Sequence, residues 1–419
     1  MMTFLHNFCH RYLPPVTAQA VRPGSHSVPL DGIRGLAVLL VLCYDCLKLA
    51  PSGNPLIFAA RKFCSIGWTG VDLFFVLSGF LITGILLDTK GLPHYWRSFI
   101  SRRSLRIFPL YFATLIGVFL IAPAICGAFF PQSDAMAALD SVSKDQGWYW
   151  IYGQNWLYAF RQSWPQERVL SHFWSLAIEE QFYLVWPFIV CVLCRRKLLW
   201  TCLTLSACAL VWRICLLTEG VPGVVTYVST FTRLDSLCAG AMMAILIREP
   251  GTVRRWGPWL PKLAGTCVVL LLGTDLLFPV LSSQSFSAYS VGHSLLAVTY
   301  AMVIGAAMVV PSQHLLARGF SAWPLLTLGK YSYAIYVVHR FVHSGVQRFD
   351  WTALPEPIQG GVIFAATVLG SLGVAMVSWY LLEQPFLKLK QFFPRPDEVP
   401  ILEETPRATV AITRRTASF

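Results

Sequence analysis

The sequence predicts an all-α integral membrane protein, a bundle of about ten transmembrane helices with both termini in the cytoplasm. Three observations lead there. Of 419 residues, 55% are hydrophobic and only 13% charged, with a mean hydropathy of +0.57, whereas soluble domains run near about 45–50% apolar and 25% charged. The apolar residues gather in ten runs near the length that crosses about 30 Å of hydrocarbon at 1.5 Å per residue. Sorting the 33 Lys and Arg by connection puts 21 on the side of the N-terminus and seven on the other; the positive-inside rule makes the richer side cytoplasmic. The same sorting accounts for the net charge of +12 without a nucleic-acid partner, and makes membrane lipids the surroundings.

The expected spans are residues 31–49, 68–87, 107–126, 172–194, 198–217, 231–247, 263–281, 291–310, 328–346 and 361–383. Residues 1–28 contain Pro14, Pro15 and Pro23 with His6, His10, Arg11 and Arg22. They lack the apolar centre and cleavage site of a signal peptide and read as a retained cytoplasmic tail. A transmembrane domain is expected over residues 29–386. Residues 387–419, with Pro394, Pro396, Pro400 and Pro406, read as a disordered cytoplasmic tail.

Ionisable side chains inside apolar spans are costly, so each is a candidate for function, with helix–helix pairing as the structural alternative. In the first span, Leu30-Asp31-Gly32-Ile33-Arg34 opens a run that ends in Tyr44-Asp45-Cys46. Arg34 and Asp45 are 11 residues apart, about three turns plus 20°, hence on one helix face and about 16 Å apart along the axis. They are too far apart to pair, and suit a site served by a donor from one side and an acceptor from the other. Two unrelated interhelical pairs is the alternative. The second span, Trp68-Thr69-Gly70-Val71-Asp72 through Gly79-Phe80, offers Gly70, Ser78, Gly79 and Gly84 for close helix contact, and Asp72 enters it from the outer side as a candidate acceptor contact.

Before the third span, Arg102, Arg103 and Arg106 precede Pro109, a residue suited to the first turn of a helix. Guanidinium groups beside a helix N-terminus bind phosphates, and basic clusters at inner boundaries are equally routine topology signals. The long connection 127–171 is rich in Trp148, Tyr149, Trp150, Tyr152, Gln154, Asn155 and Trp156; it suits a sugar-facing lid or an interfacial aromatic belt. The fourth span runs from His172-Phe173-Trp174-Ser175 to Glu179-Glu180-Gln181 and Pro187. Glu179 is expected about 10 Å deep, level with Asp45, where two carboxylates could share a proton or a base role; a bond to a neighbouring helix is the alternative.

His172, Arg233 and Asp235 lie near outer ends and are candidate acceptor contacts. His339, in Tyr333–Arg340, reads as a satisfied core histidine, and Glu383 as a structural partner of the arginines. The Cys43/Cys46 and Cys191/Cys194 pairs lack the second ligand pair of a zinc site, so no metal is expected.

Taken in order, Leu-Asp-Gly-Ile-Arg-Gly, Gly-Val-Asp-Leu-Phe-Phe-Val-Leu-Ser-Gly-Phe, Arg-Arg-Ser-Leu-Arg-Ile-Phe-Pro, Trp-Ser-Leu-Ala-Ile-Glu-Glu-Gln-Phe-Tyr and Glu-Gln-Pro-Phe resemble the membrane-bound acyltransferase 3 family. The likeness runs from about Leu30 to Phe386. It implies O-acylation of a carbohydrate or glycoconjugate of the bacterial cell envelope, at the plasma membrane, with acetyl-CoA or another acyl-CoA as donor. Arg102, Arg103 and Arg106 would hold the donor, Arg34 would stand near the pantetheine path, and Asp45, Arg34 and Glu179 would form the catalytic set.

In that family an Arg in the first span is followed, about ten residues on, by a His that serves as base; the corresponding positions here are Arg34 and Asp45. An ordinary carboxyl titrates near about 3.9 and an imidazole near about 6.5, so three readings stay open. Asp45 is a base strengthened by burial, His172 or another group has taken over, or the chemistry is impaired. Some relatives carry an attached extracytoplasmic domain; none is expected here, so the chain either transfers directly or hands the acyl group to a separate transferase. A glycolipid transporter is the rival class, without an inverted repeat to support it, and a non-catalytic scaffold the third.

Overall fold

A computed structural model describes residues 27–49 and 54–393. The expectations for residues 1–26 and 394–419 lie outside the described residues. Among the described residues the regular structure is helical throughout. The long helices are α1 (Val28–Cys46), α2 (Gly70–Thr89), α3 (Tyr95–Ile116), α4 (Trp174–Val192), α5 (Arg195–Thr218), α6 (Thr230–Leu246), α7 (Leu260–Leu277), α8 (His293–Val309), α9 (Ser332–Val346) and α10 (Glu356–Ser378).

Each expected apolar run is matched by one of these helices, but seven described helices are long and apolar enough to cross a membrane, not ten. The three that fall short have physical reasons. Helix α1 carries Asp31, Arg34 and Asp45 within 19 residues. Helix α6 has 17 residues and α9 has 15; at 1.5 Å per residue these are short of a hydrocarbon slab of about 30 Å. Two other boundaries differ. Helix α3 begins at Tyr95, so Pro109 sits inside it and the arginines lie along a helix rather than ahead of its N-terminus. Helical turns also continue past residue 386, over Gln384–Lys388 and Leu389–Phe392.

Small residues set the crossing of α2 with α6. A Cβ on Gly79 of α2 would stand 1.9 Å from the Leu237 carbonyl oxygen, and one on Gly240 of α6 would stand 1.8 Å from that of Val76. The two backbones therefore touch through paired glycines, as small residues allow in apolar surroundings. Helix α1 meets the short helix Trp323–Lys330 in the same way, through Gly35 against the Leu325 carbonyl and Gly329 against that of Asp31.

Part of the connection after α3 is folded inward. Tyr149, Tyr152, Gln154, Asn155 and Tyr158 are buried. Gln154 donates to the Phe173 carbonyl at 2.7 Å, and Gln181 donates to the Tyr152 carbonyl and to Asn155 Oδ1, both at 2.9 Å. These contacts fasten the connection to α4.

Candidate active site

Two cavities open at opposite ends of α1 and meet at its side. Arg34, in the second turn of that helix, lines a cavity of about 100 Å³ with Arg103 and Arg106 of α3, Glu179 and Tyr183 of α4 and apolar Phe74, Leu81 and Leu176. We call it the arginine pocket. Asp45, in the last turn, lines a cavity of about 500 Å³ with Lys48, His172, Arg340 and His343. Its aromatic walls include Tyr44, Trp68, Trp164, Trp174, Tyr227 and Tyr289, and we call it the aromatic pocket. Val71 and Tyr336 line both.

The septum is held by hydrogen bonds from its tyrosine. The Tyr336 hydroxyl lies 2.6 Å from Ser175 Oγ and donates to the His172 carbonyl at 3.0 Å. Its ring packs edge-on against Phe74, centroids 6.0 Å apart. Spacing on α9 puts Tyr336, His339 and Arg340 on one face, and that face meets Asp45.

Arg340 donates Nε–H to Asp45 Oδ2 and Nη2–H to Oδ1, both at 2.9 Å. Its Nη1 reaches the Arg168 carbonyl at 3.0 Å and Ser171 Oγ, which ties the connection after α3 to the same group. His339 Nε2 lies 3.0 Å from Asp45 Oδ2 and its Nδ1 lies 2.7 Å from the Tyr336 carbonyl. His339 is thus buried, as the sequence suggests, with the carboxylate of Asp45 as its partner. His172 stands beside it, ring centroids 4.9 Å apart.

Glu179 does not join Asp45. It accepts a hydrogen bond from the Tyr183 hydroxyl at 3.0 Å and faces the arginine pocket, because α4 carries it about two turns past His172. The residue level with Asp45 is His172. In the arginine pocket Arg34 pairs with Asp31 at 2.9 Å, and the Arg103 guanidinium lies over the Tyr183 ring at 5.3 Å. Among the described residues neither Arg103 nor Arg106 forms an ion pair with a carboxylate, which leaves two cations facing one small cavity. Arg102 points elsewhere: it donates to the Phe393 carbonyl at 3.0 Å and does not line the pocket.

Asp72, Arg233 and Asp235 line neither cavity. Asp72 accepts from Arg233 Nη2 at 2.7 Å and lies 3.2 Å from His293 Nδ1. Asp235 accepts from Arg213 Nη2 at 2.8 Å and from Ser294 Oγ at 2.7 Å. All of these charges are fully or almost fully buried, pinning α2, α5, α6 and α8 together behind the aromatic wall. Trp68 packs on His293 and Tyr227 lies under Arg233. Arg213 and His293 were not singled out from sequence, although each is an ionisable group within an apolar run, the signal that picked out their partners. Among the described residues no group of three or more His, Cys, Asp or Glu is placed to hold a metal ion.

A helical bundle in which a cationic pocket and an aromatic pocket meet at one side of a helix suits group transfer. The chain belongs to the acyltransferase 3 family, whose model, an acyltransferase domain, matches residues 28–376. It is 31% identical over 327 residues to the peptidoglycan O-acetyltransferase OatA of Listeria monocytogenes, covering 74% of this chain and 48% of that protein. It is 27% identical over 387 residues to the O-acetyltransferase OatA of Staphylococcus aureus, covering 86% and 57%. The chain thus spans about half the length of the curated relatives it matches. No solved structure matches it.

Proposed function

We propose that the chain is a multi-pass enzyme of a bacterial plasma membrane that moves an acetyl group from acetyl-CoA, or another acyl group from its coenzyme A thioester, to a hydroxyl of a cell-envelope carbohydrate. The observation that carries the reading is the meeting of two chemically opposite pockets at Val71 and Tyr336. Arg103 and Arg106, which form no ion pair among the described residues, with Arg34 beside them, suit the phosphates of coenzyme A. The aromatic walls with Asp45, Lys48, Ser283 and Gln284 suit a sugar, whose faces are apolar and whose edges need hydrogen bonds.

The positive-inside count supports a cytoplasmic arginine pocket, cytoplasmic termini and an external aromatic pocket. The relatives' names, peptidoglycan O-acetyltransferase among them, favour a cell-wall polysaccharide as acceptor, reached directly or through a separate extracytoplasmic transferase. Asp45 keeps its place in the site through Arg340 and His339, a positioning part rather than a free carboxylate.

The test is glycan O-acetylation, read by mass spectrometry, in a deletion strain complemented with wild type or Arg103→Gln. Restoration by wild type alone supports the reading. Full acetylation in the uncomplemented deletion strain would sink it.

A further inference from the structure

One ring on the aromatic pocket is left with half of its hydrogen bonding unmade. His172 is 3% exposed and lines that pocket beside Asp45. Its Nε2 lies 3.3 Å from the Val337 carbonyl oxygen, which only accepts, so this nitrogen carries the ring proton. The other, Nδ1, is buried and has no partner among the described residues. A neutral imidazole that donates at Nε2 presents a lone pair at Nδ1. That lone pair belongs to a ring on the wall of the aromatic pocket, and the backbone carbonyl of the same residue accepts from the Tyr336 hydroxyl of the septum. Asp45 is differently placed: both of its oxygens are taken by Arg340 and one also by His339.

We infer that His172, through Nδ1, is the general base of the acyl transfer, the part the family resemblance gives to the position Asp45 occupies. The assignment rests on the acyl-transfer reading above. The acceptor hydroxyl oxygen attacks the thioester carbonyl carbon while its proton passes to Nδ1, forming the C–O bond. The tetrahedral adduct collapses with cleavage of the C–S bond, and the departing thiolate takes the proton back from Nδ1. An alcohol and a thioester become an ester and a thiol, and the imidazole ends neutral. Asp45, with His339 against the His172 ring, positions the base and sets the charge around it.

The experiment uses the full chain in liposomes with acetyl-CoA and oligosaccharides released from peptidoglycan, reading single-turnover acetyl transfer by mass spectrometry and acetyl-CoA affinity by calorimetry. His172→Gln is expected to transfer about 10²- to 10⁴-fold more slowly, the range for a lost general base, with unchanged acetyl-CoA affinity. His172→Ala is expected to regain rate with added imidazole, a response that a purely structural residue does not give. A His172→Gln rate near that of wild type overturns the assignment, as does loss of acetyl-CoA binding together with the rate, or a His172→Ala rate indifferent to imidazole. A wild type that transfers nothing removes the acyl-transfer reading itself, and the assignment falls with it.

Discussion

Arg340 grips Asp45 at both oxygens, each contact 2.9 Å long. A two-point guanidinium–carboxylate pair in a partly dry site is geometrically specific, and removing one partner strands the other. Asp45→Ala and Arg340→Ala should each destabilise the protein by about 1–3 kcal/mol, below the 3–5 seen for fully buried pairs because water reaches this one. The double variant Asp45→Ala with Arg340→Ala should lose less than the two single changes added together. Thermal unfolding in detergent measures this; strict additivity would show that the pair contributes nothing as a pair.

The buried partners are less forgiving. Asp72 and Arg233 are both fully buried, so Asp72→Ala leaves an unpaired guanidinium among apolar side chains, at a cost of about 3–5 kcal/mol. Loss of expression or a much lower unfolding temperature is expected. A variant with wild-type stability would mean that Arg233 finds another partner.

Paired glycines make a packing prediction. With 1.9 Å between a Gly79 Cβ and the Leu237 carbonyl oxygen, Gly79→Ala must push α2 and α6 apart, costing about 1–3 kcal/mol as overpacking does. Gly127, which has nothing within 4 Å, serves as the control: Gly127→Ala should leave the unfolding temperature in place. Equal behaviour of the two would contradict the close crossing.

The three arginines expected to hold the donor divide in the structure. Arg103→Gln and Arg106→Gln should each weaken acetyl-CoA binding about 10-fold, the scale of one charged hydrogen bond. Arg102→Gln should leave it nearly unchanged, because that side chain serves the Phe393 carbonyl. Calorimetric titration of the purified variants decides, and a uniform loss across all three would return Arg102 to the binding set.

Tyr336 makes a prediction about acyl size. With the arginine pocket near 100 Å³ and Tyr336 as its far wall, Tyr336→Ala should raise transfer of butyryl relative to acetyl by about 10-fold, the worth of a methylene or two in an apolar pocket. Competition between the two thioesters reads the ratio directly. An unchanged ratio would place the size filter elsewhere.

Much of the fold was legible because a bilayer simplifies the reading: apolar length gives the helix, and each of the ten runs is one. Membrane-crossing capacity was less legible, since charge inside α1 and the shortness of α6 and α9 escape a scan for apolar runs. Within the site, the one-face relation of Arg34 and Asp45 needed only helical periodicity. The expected meeting of Glu179 with Asp45 does not occur, since the two line different cavities; a count from one helix end ignores which neighbour the side chain faces. Partnerships between distant segments were out of reach: nothing in the order of residues joins Asp45 to Arg340, 295 positions away, or Asp235 to Arg213.

The hydroxyl contacts of Tyr336 bear on cell energetics as well as on chemistry. In the proposed topology two cavities are entered from opposite faces of a bilayer, and if joined they would let protons run down the gradient across it. A ring bonded at once to Ser175 and to the His172 backbone would, in that topology, stand as a plug against the current. On the proposed function, a small uncharged acyl group would pass between compartments while the membrane around the enzyme stays electrically tight.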